Sequence, residues 1–127
     1  MIENKIDVNA VSIEGMKWTA ILEAATVCNN PEIINLLIKN GANVNQRSVG
    51  QWTPLMFAVR SCTSEIVAAL IKNGADVNAV NKDIMSALYI AENVYYVKPN
   101  IVNLLKKSGA KNNANHQKIQ EVKNNAR

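Results

Sequence analysis

The chain has few of the side chains on which catalysis usually depends, and it has no long apolar run. It contains a single histidine, His116, and only two cysteines among 127 residues. It has no glycine-rich phosphate loop and no HExxH or GxSxG motif. No apolar run approaches the ~18 residues that span a bilayer, and the first residues lack the apolar stretch of a secretory signal. We therefore predict a non-enzymatic, cytoplasmic protein without cofactor, metal or membrane contact.

Aromatic residues are also scarce, at 5% of a sequence that is 48% hydrophobic. Aliphatic side chains must therefore form most of the core of what the length predicts to be one domain. The net charge of +4 is unevenly distributed. Residues 1–97 hold seven Lys or Arg against nine Asp or Glu, whereas residues 98–127 hold seven against Glu121 alone. The basic character therefore belongs to the C-terminal end.

One sequence pattern recurs with a period near 33 residues. In each copy a hydroxyl residue, which can cap a helix, precedes a first apolar stretch with helical spacing. A second such stretch ends at a glycine, which can close a helix in the left-handed conformation. Each copy therefore predicts two short helices, and successive copies are expected to bury their apolar faces on one another. The hydroxyls are Thr19, Thr53 and Ser86, and the glycines, spaced by 33 and 35 residues, are Gly41, Gly74 and Gly109.

This pattern resembles the ankyrin repeat. The family signature T-P-L-H-x-A is matched best by Thr53-Pro54-Leu55-Met56-Phe57-Ala58, and the family ending by Gly74-Ala75-Asp76-Val77-Asn78. The histidine of the signature is absent from every copy. The resemblance implies an all-α fold, an α-solenoid of stacked helix-turn-helix repeats joined by β-hairpin-like turns. We expect a repeat domain over 1–111, with a half repeat at 1–11 and repeats at about 12–45, 46–78 and 79–111, and then a polar, basic cap helix or tail at 112–127.

The resemblance also implies a protein–protein interaction module, an adaptor or inhibitor, because such solenoids expose an extended concave surface. In the family, the residue before the opening hydroxyl and the turn residues preceding it tend to face the partner. Side chains at that position form either an apolar recognition strip or local packing that stabilises each turn. The candidate partner-binding residues are Trp18, Arg47, Trp52, Arg60, Lys82, Asp83 and Met85, with Ser48, Gln51 and Asn81 beside them.

Two other functions stay open. The basic C-terminal segment could bind nucleic acid or another acidic surface, although it lacks interleaved aromatic residues, which argues against this. The half repeat could act as a spacer or assembly element by stacking end to end on a neighbouring chain or on a further part of the array, although a monomer is the first expectation. The cations concerned are Lys98, Lys106, Lys107, Lys111, Lys118, Lys123 and Arg127.

Cys28 and Cys62 occupy equivalent positions, nine residues after the opening hydroxyls of their copies. Packed helices stand about 8 to 10 Å apart, whereas the Cα atoms of a disulfide usually lie within about 7 Å of each other. We therefore expect two free thiols in a reducing compartment and no bridge.

Recurring apolar and amide residues are predicted to hold the array together. We expect the apolar ones in the core, and the asparagines to bond the backbone of the hairpin turns. They are Leu37, Leu70, Leu105, Ala24, Ala58, Ala91, Asn45 and Asn78.

Overall fold

The computed structural model describes residues 7–11, 17–28, 30–94 and 98–111. Within these ranges there is no strand, and none of the helices is long and apolar enough to cross a membrane. The predicted cap helix or tail at 112–127, with His116, lies outside the described residues. The helices are α1 (Ala20–Val27), α2 (Pro31–Lys39), α3 (Pro54–Ser61), α4 (Ser64–Lys72), α5 (Ala87–Asn93) and α6 (Pro99–Lys107).

The helices form three pairs, and each pair packs on the next. In one layer α1 packs on α3 and α3 on α5, and in the other α2 packs on α4 and α4 on α6. This is the predicted α-solenoid. The apolar core lies between successive pairs, because each helix buries one face against its own partner and another against the next unit.

Most helices begin where the capping pattern predicts. The side-chain oxygens of Thr53, Ser86 and Asn30 accept hydrogen bonds from backbone N–H groups two or three residues later, at 3.4, 3.2 and 2.9 Å. Thr19 precedes α1 as predicted but makes no such bond, since its buried Oγ1 has no hydrogen-bond partner among the described residues. The residues before α4 and α6, Thr63 and Lys98, make no side-chain cap bond either. Proline occupies the first turn of three helices, where its missing N–H loses no bond, as Pro31, Pro54 and Pro99.

The second helix of each pair ends at a left-handed glycine, as predicted. In the second unit Gly74 has a φ of 97°. Its N–H donates to the Ile71 carbonyl, and the N–H of Ala75 donates to the Leu70 carbonyl, both at 3.0 Å. These bonds satisfy carbonyl groups that the end of a helix leaves without a partner. Gly41 and Gly109, with φ values of 96° and 98°, close the other two units in the same way.

Asparagine side chains tie each unit to the next. Nδ2 of Asn45 donates to the Gly74 carbonyl at 3.3 Å, and its Oδ1 accepts from the Asp76 N–H at 2.8 Å. Asn9 and Asn78 make the same pair of bonds one unit earlier and one unit later. The asparagine side chains bond to the backbone, as predicted. These bonds join successive units, and they therefore fix the register of the stack.

The predicted core positions are buried, with Leu37 as the exception. Leu70 and Leu105 are fully buried, whereas Leu37 is only half-buried and packs against the core from its edge. Leu37 lies on α2, the second helix of the first unit. The alanines at the close crossing of the first helices are buried as predicted, as Ala24, Ala58 and Ala91.

Cys28 and Cys62 form a disulfide, so the prediction of two free thiols is wrong. Their Cα atoms are 5.2 Å apart. The spacing of packed helices applies to helix axes, whereas these cysteines are the residues that follow the last turns of α1 and α3. The two helix ends approach closely because alanines occupy this part of α1, and Sγ of Cys62 lies 3.0 Å from the Ala25 carbonyl oxygen. The bridge therefore joins the first unit to the second.

Candidate interaction surface

The second and third hairpin turns hold Trp52 and Met85 in the same way. The Ser48 and Asn81 N–H groups donate to the Trp52 and Met85 carbonyls at 2.9 and 3.0 Å. In return, Oγ of Ser48 and Oδ1 of Asn81 accept from the N–H groups of Trp52 and Met85 at 3.3 and 3.1 Å. Ser48 and Asn81 are consequently buried. They position the residue before each helix cap, and they do not face a partner as expected.

The residues immediately before Trp52 and Met85 have a left-handed backbone. Ile84 has a φ of 65°, a conformation that costs about 1 to 2 kcal/mol for residues other than glycine. The same conformation presents its side chain to solvent, and Ile84 is 44% exposed. The equivalent residues, Lys17 and Gln51, share both properties, with φ values of 55° and 64°.

Trp18 and Trp52 both pack against Phe57, in the middle of α3. Each indole has its centroid 5.2 Å from the centroid of the Phe57 ring. Trp18 meets the ring edge-on at 78°, an arrangement that the quadrupoles of aromatic rings favour. Trp18 therefore packs across the boundary between the first and second units. Both indoles are half-buried, so they are packed against the protein and still reachable from solvent.

The guanidinium of Arg60 covers two of these rings. Its Cζ lies 5.0 Å from the centroid of the Trp52 ring and 5.2 Å from that of Phe57. Arg60 reaches them because residues three apart share one face of a helix. Among the described residues, no acceptor or carboxylate is bonded to this guanidinium. We call Trp18, Trp52, Phe57 and Arg60 the aromatic cluster.

Lys98, from the third unit, fixes the end of α3 beneath Arg60. Its Nζ donates to the carbonyls of Val59 and Arg60 at 2.9 and 2.7 Å. A cation at this end of a helix supplies the missing donors and also favours the helix dipole. Desolvation by burial lowers the pKa of the Lys98 ammonium. Lys98, one of the cations considered for nucleic-acid binding, therefore positions the arginine of the cluster.

A carboxylate lies at the other end of the aromatic cluster. Nε1 of Trp18 donates to Oε2 of Glu23 at 2.6 Å, and Glu23 is exposed on α1. The cluster thus carries a negative charge in the first unit and a positive charge in the second. This difference gives the surface a polarity along the stack.

Sequence comparison agrees with this architecture. A family model described as ankyrin repeats (three copies) matches residues 1–81 and 21–116. The chain belongs to the ankyrin repeat family. Ankyrin repeats generally serve as protein–protein interaction modules and are typically non-enzymatic. No curated protein sequence matches the chain.

The remaining predicted site residues lie on the hairpin turns of the ankyrin repeats. Nη1 of Arg47 donates to the carbonyls of Gln51 and Val80 at 3.0 and 2.8 Å, so it braces the turns that open the second and third repeats. Lys82 and Asp83 are exposed in the later turn, and neither side chain forms a hydrogen bond or ion pair with a described residue. Met85 is half-buried against the core.

The two tryptophans and Arg60 were predicted from the sequence, whereas the contacts that Phe57, Glu23 and Lys98 make here were not. The positions of Phe57 and Arg60 on one helical face, three residues apart, would have indicated that they meet. The bond from Lys98 spans 38 residues, and no pattern in the sequence indicates it. A hollow of about 430 Å³ adjoins this bond, and Lys98 is the only charged residue among the described ones that line it. No group of His, Cys, Asp or Glu among the described residues could hold a metal ion.

Proposed function

We propose that this ankyrin repeat chain is a non-enzymatic adaptor or inhibitor that binds a partner protein through its concave face. That face consists of the hairpin turns and the first helices, α1, α3 and α5. The observation that carries the proposal is the aromatic cluster, where two tryptophans and an arginine lie together on adjacent repeats. These residue types are enriched among those that dominate binding energies. The proposed contact residues are Trp18, Arg47, Trp52, Arg60, Lys82, Asp83 and Met85.

The rigidity of the cluster supports the same proposal. Trp18 and Trp52 are held against Phe57, and Arg60 is held against Trp52 and Phe57. Side chains that are ordered before binding lose little conformational entropy when a partner docks. The local packing considered from the sequence and a role in recognition are therefore compatible, because the packing leaves part of each tryptophan accessible to solvent.

The compartment is a separate question. A cytoplasmic location stays a prediction, and the Cys28–Cys62 disulfide counts against it. Structural disulfides persist in oxidising environments and are rare where thiols are kept reduced.

We expect Trp52→Ala to reduce partner binding by at least about tenfold, since truncation of a dominant contact costs more than 1.4 kcal/mol. The measurement is affinity capture with quantitative mass spectrometry, followed by titration of each captured protein. Circular dichroism should confirm that the variant is folded.

Leu36→Ala is the matched control for this experiment. Leu36 is 59% exposed on α2, so the variant removes exposed apolar surface from the opposite layer of helices. It should retain the partners that Trp52→Ala loses. The reverse result, with partners lost only by Leu36→Ala, would place binding on the second helices and contradict the proposal.

A second candidate, end-to-end assembly, is favoured by the outer face of the first repeat. Ile33 and Leu36 on α2 are 38% and 59% exposed, whereas the equivalent Ile66 and Ala69 on α4 are buried by the preceding repeat. The same face could therefore receive a second copy of the chain.

We expect such assembly to appear as a mass in light scattering that rises with concentration. Leu36→Lys should abolish this rise, because it places a charge on the stacking face. The control is Val49→Lys, which makes the same change at an equally exposed position, 59%, on a hairpin turn. A constant monomer mass for the unaltered protein would exclude this candidate.

A further inference from the structure

We propose that the partner segment bound at the aromatic cluster is a peptide carrying an aspartate or glutamate next to an apolar residue. The carboxylate binds the Arg60 guanidinium, and the apolar side chain lies on Trp52. This inference rests on the proposed function and adds the chemistry of the partner to it.

The bonding state of the two arginines in the second repeat indicates which of them binds the partner. Arg47 uses Nη1 on two backbone carbonyls of the hairpin turns. Arg60 has no acceptor among the described residues, and its guanidinium lies over the faces of Trp52 and Phe57. Stacking of this kind leaves the N–H edge of the group free. A carboxylate accepts two parallel hydrogen bonds from such an edge, which makes it the matching ligand.

The protein holds Arg60 in place before any ligand arrives. The two rings restrict its side chain, and the Lys98 ammonium bonds to its backbone carbonyl at 2.7 Å. A carboxylate therefore meets an arginine that loses little further freedom on binding. Trp52 is half-buried next to the guanidinium, so an apolar side chain next to the acid would cover the part of the indole that solvent still reaches.

The charge at the other end of the cluster determines where the acid lies. Glu23 is exposed and is bonded to the Trp18 indole. A ligand carboxylate at that end would be repelled by Glu23, whereas the Arg60 end attracts it. The peptide should therefore place its acidic residue at the second repeat and run from there across Trp18 toward the first.

A library of random 12-residue peptides displayed on phage tests this inference. Selection uses the unaltered protein, and Trp52→Ala serves as the counter-selection that removes peptides bound elsewhere. We expect the remaining peptides to share an Asp or Glu next to an apolar residue. Replacing that acid by its amide should weaken binding by about 10- to 100-fold, the usual loss for a hydrogen bond to a charged group.

Arg60 variants give the matching measurement on the protein. Arg60→Met should weaken the binding of the acidic peptides as much as the amide replacement does. The two changes together should reduce the affinity no more than either change alone. Selection on Arg60→Glu should instead enrich Lys or Arg at the same peptide position. Lys72→Met, which removes an exposed cation at the end of α4, should change the affinity less than about twofold.

The outcomes separate this inference from the proposed function. Peptides that require Trp52 but show no acidic preference, or bind Arg60→Met equally well, would overturn the inference and leave the concave face as the binding site. Peptides that bind only when phosphoserine replaces the acid would show that Arg60 binds a phosphate group. That result would overturn the inference that its ligand is a carboxylate. If no selected peptide depends on Trp52, the inference and the proposed binding face both fail.

Discussion

Removal of the Cys28–Cys62 disulfide is expected to lower the free energy of unfolding by about 3 to 4 kcal/mol. The two cysteines are 34 residues apart in the sequence. A cross-link over that separation restricts the unfolded chain, and this loop-closure entropy is the main source of the expected effect. In a domain of this size, such a loss should lower the melting temperature by about 10 °C or more. Thermal unfolding followed by circular dichroism, with and without a dithiol reductant, measures it.

The double variant Cys28→Ser/Cys62→Ser provides the control. Its melting temperature should match that of the reduced protein and should not respond to the reductant. The serine hydroxyls can donate to the same carbonyl oxygens as reduced thiols would, since Sγ of Cys28 and Cys62 lie 3.3 and 3.0 Å from the carbonyl oxygens of Ser61 and Ala25. If two thiols are alkylated in the folded, unreduced protein and the reductant has no effect, the disulfide does not form in solution.

The bridge shows where sequence reasoning about the fold fails. The period of the repeat predicts which residues are equivalent, and it places Cys28 and Cys62 at the same point of adjacent repeats. It carries no information on how far the chain departs from the helix axis at that point. Cys28 adopts a left-handed backbone with a φ of 59°, and this local geometry lets the two Cα atoms approach to 5.2 Å. Backbone capping signals, such as Thr53 and Gly74, are local and were therefore predictable.

The candidate site was predictable only in part, for a related reason. Trp18 and Trp52 could be placed side by side because they recur at one position of the repeat. The contacts that complete the cluster do not recur. Phe57 has Glu23 and Ile90 at the equivalent positions of the other repeats, so the ring that joins the two indoles is specific to the second repeat. Interactions that break the repeat symmetry require coordinates, and these interactions give the surface its polarity.

Truncation of the core in the middle repeat is expected to have the second large effect. Leu70→Ala should lower the free energy of unfolding by about 2 to 5 kcal/mol, because the side chain is fully buried and its loss leaves a cavity. Leu37→Ala removes the same atoms at the equivalent position of the first repeat, where the side chain is half-buried. Solvent can fill the space that it leaves, so the loss there should be distinctly smaller. Urea unfolding followed by the fluorescence of Trp18 and Trp52 measures both variants.

The position of Leu70 in the array adds to the loss of stability expected for Leu70→Ala. Each ankyrin repeat contacts only its neighbours, so the stability of the array depends on the interfaces between successive repeats. Leu70 lies on α4, which packs on both α2 and α6, and its loss weakens the link between the first and third repeats. Leu36→Ala, at an exposed position of α2, should change the stability by no more than about 0.5 kcal/mol. Equal losses for Leu37→Ala and Leu70→Ala would mean that the outer face of the first repeat is covered in solution, as it would be if a second copy were stacked on α2.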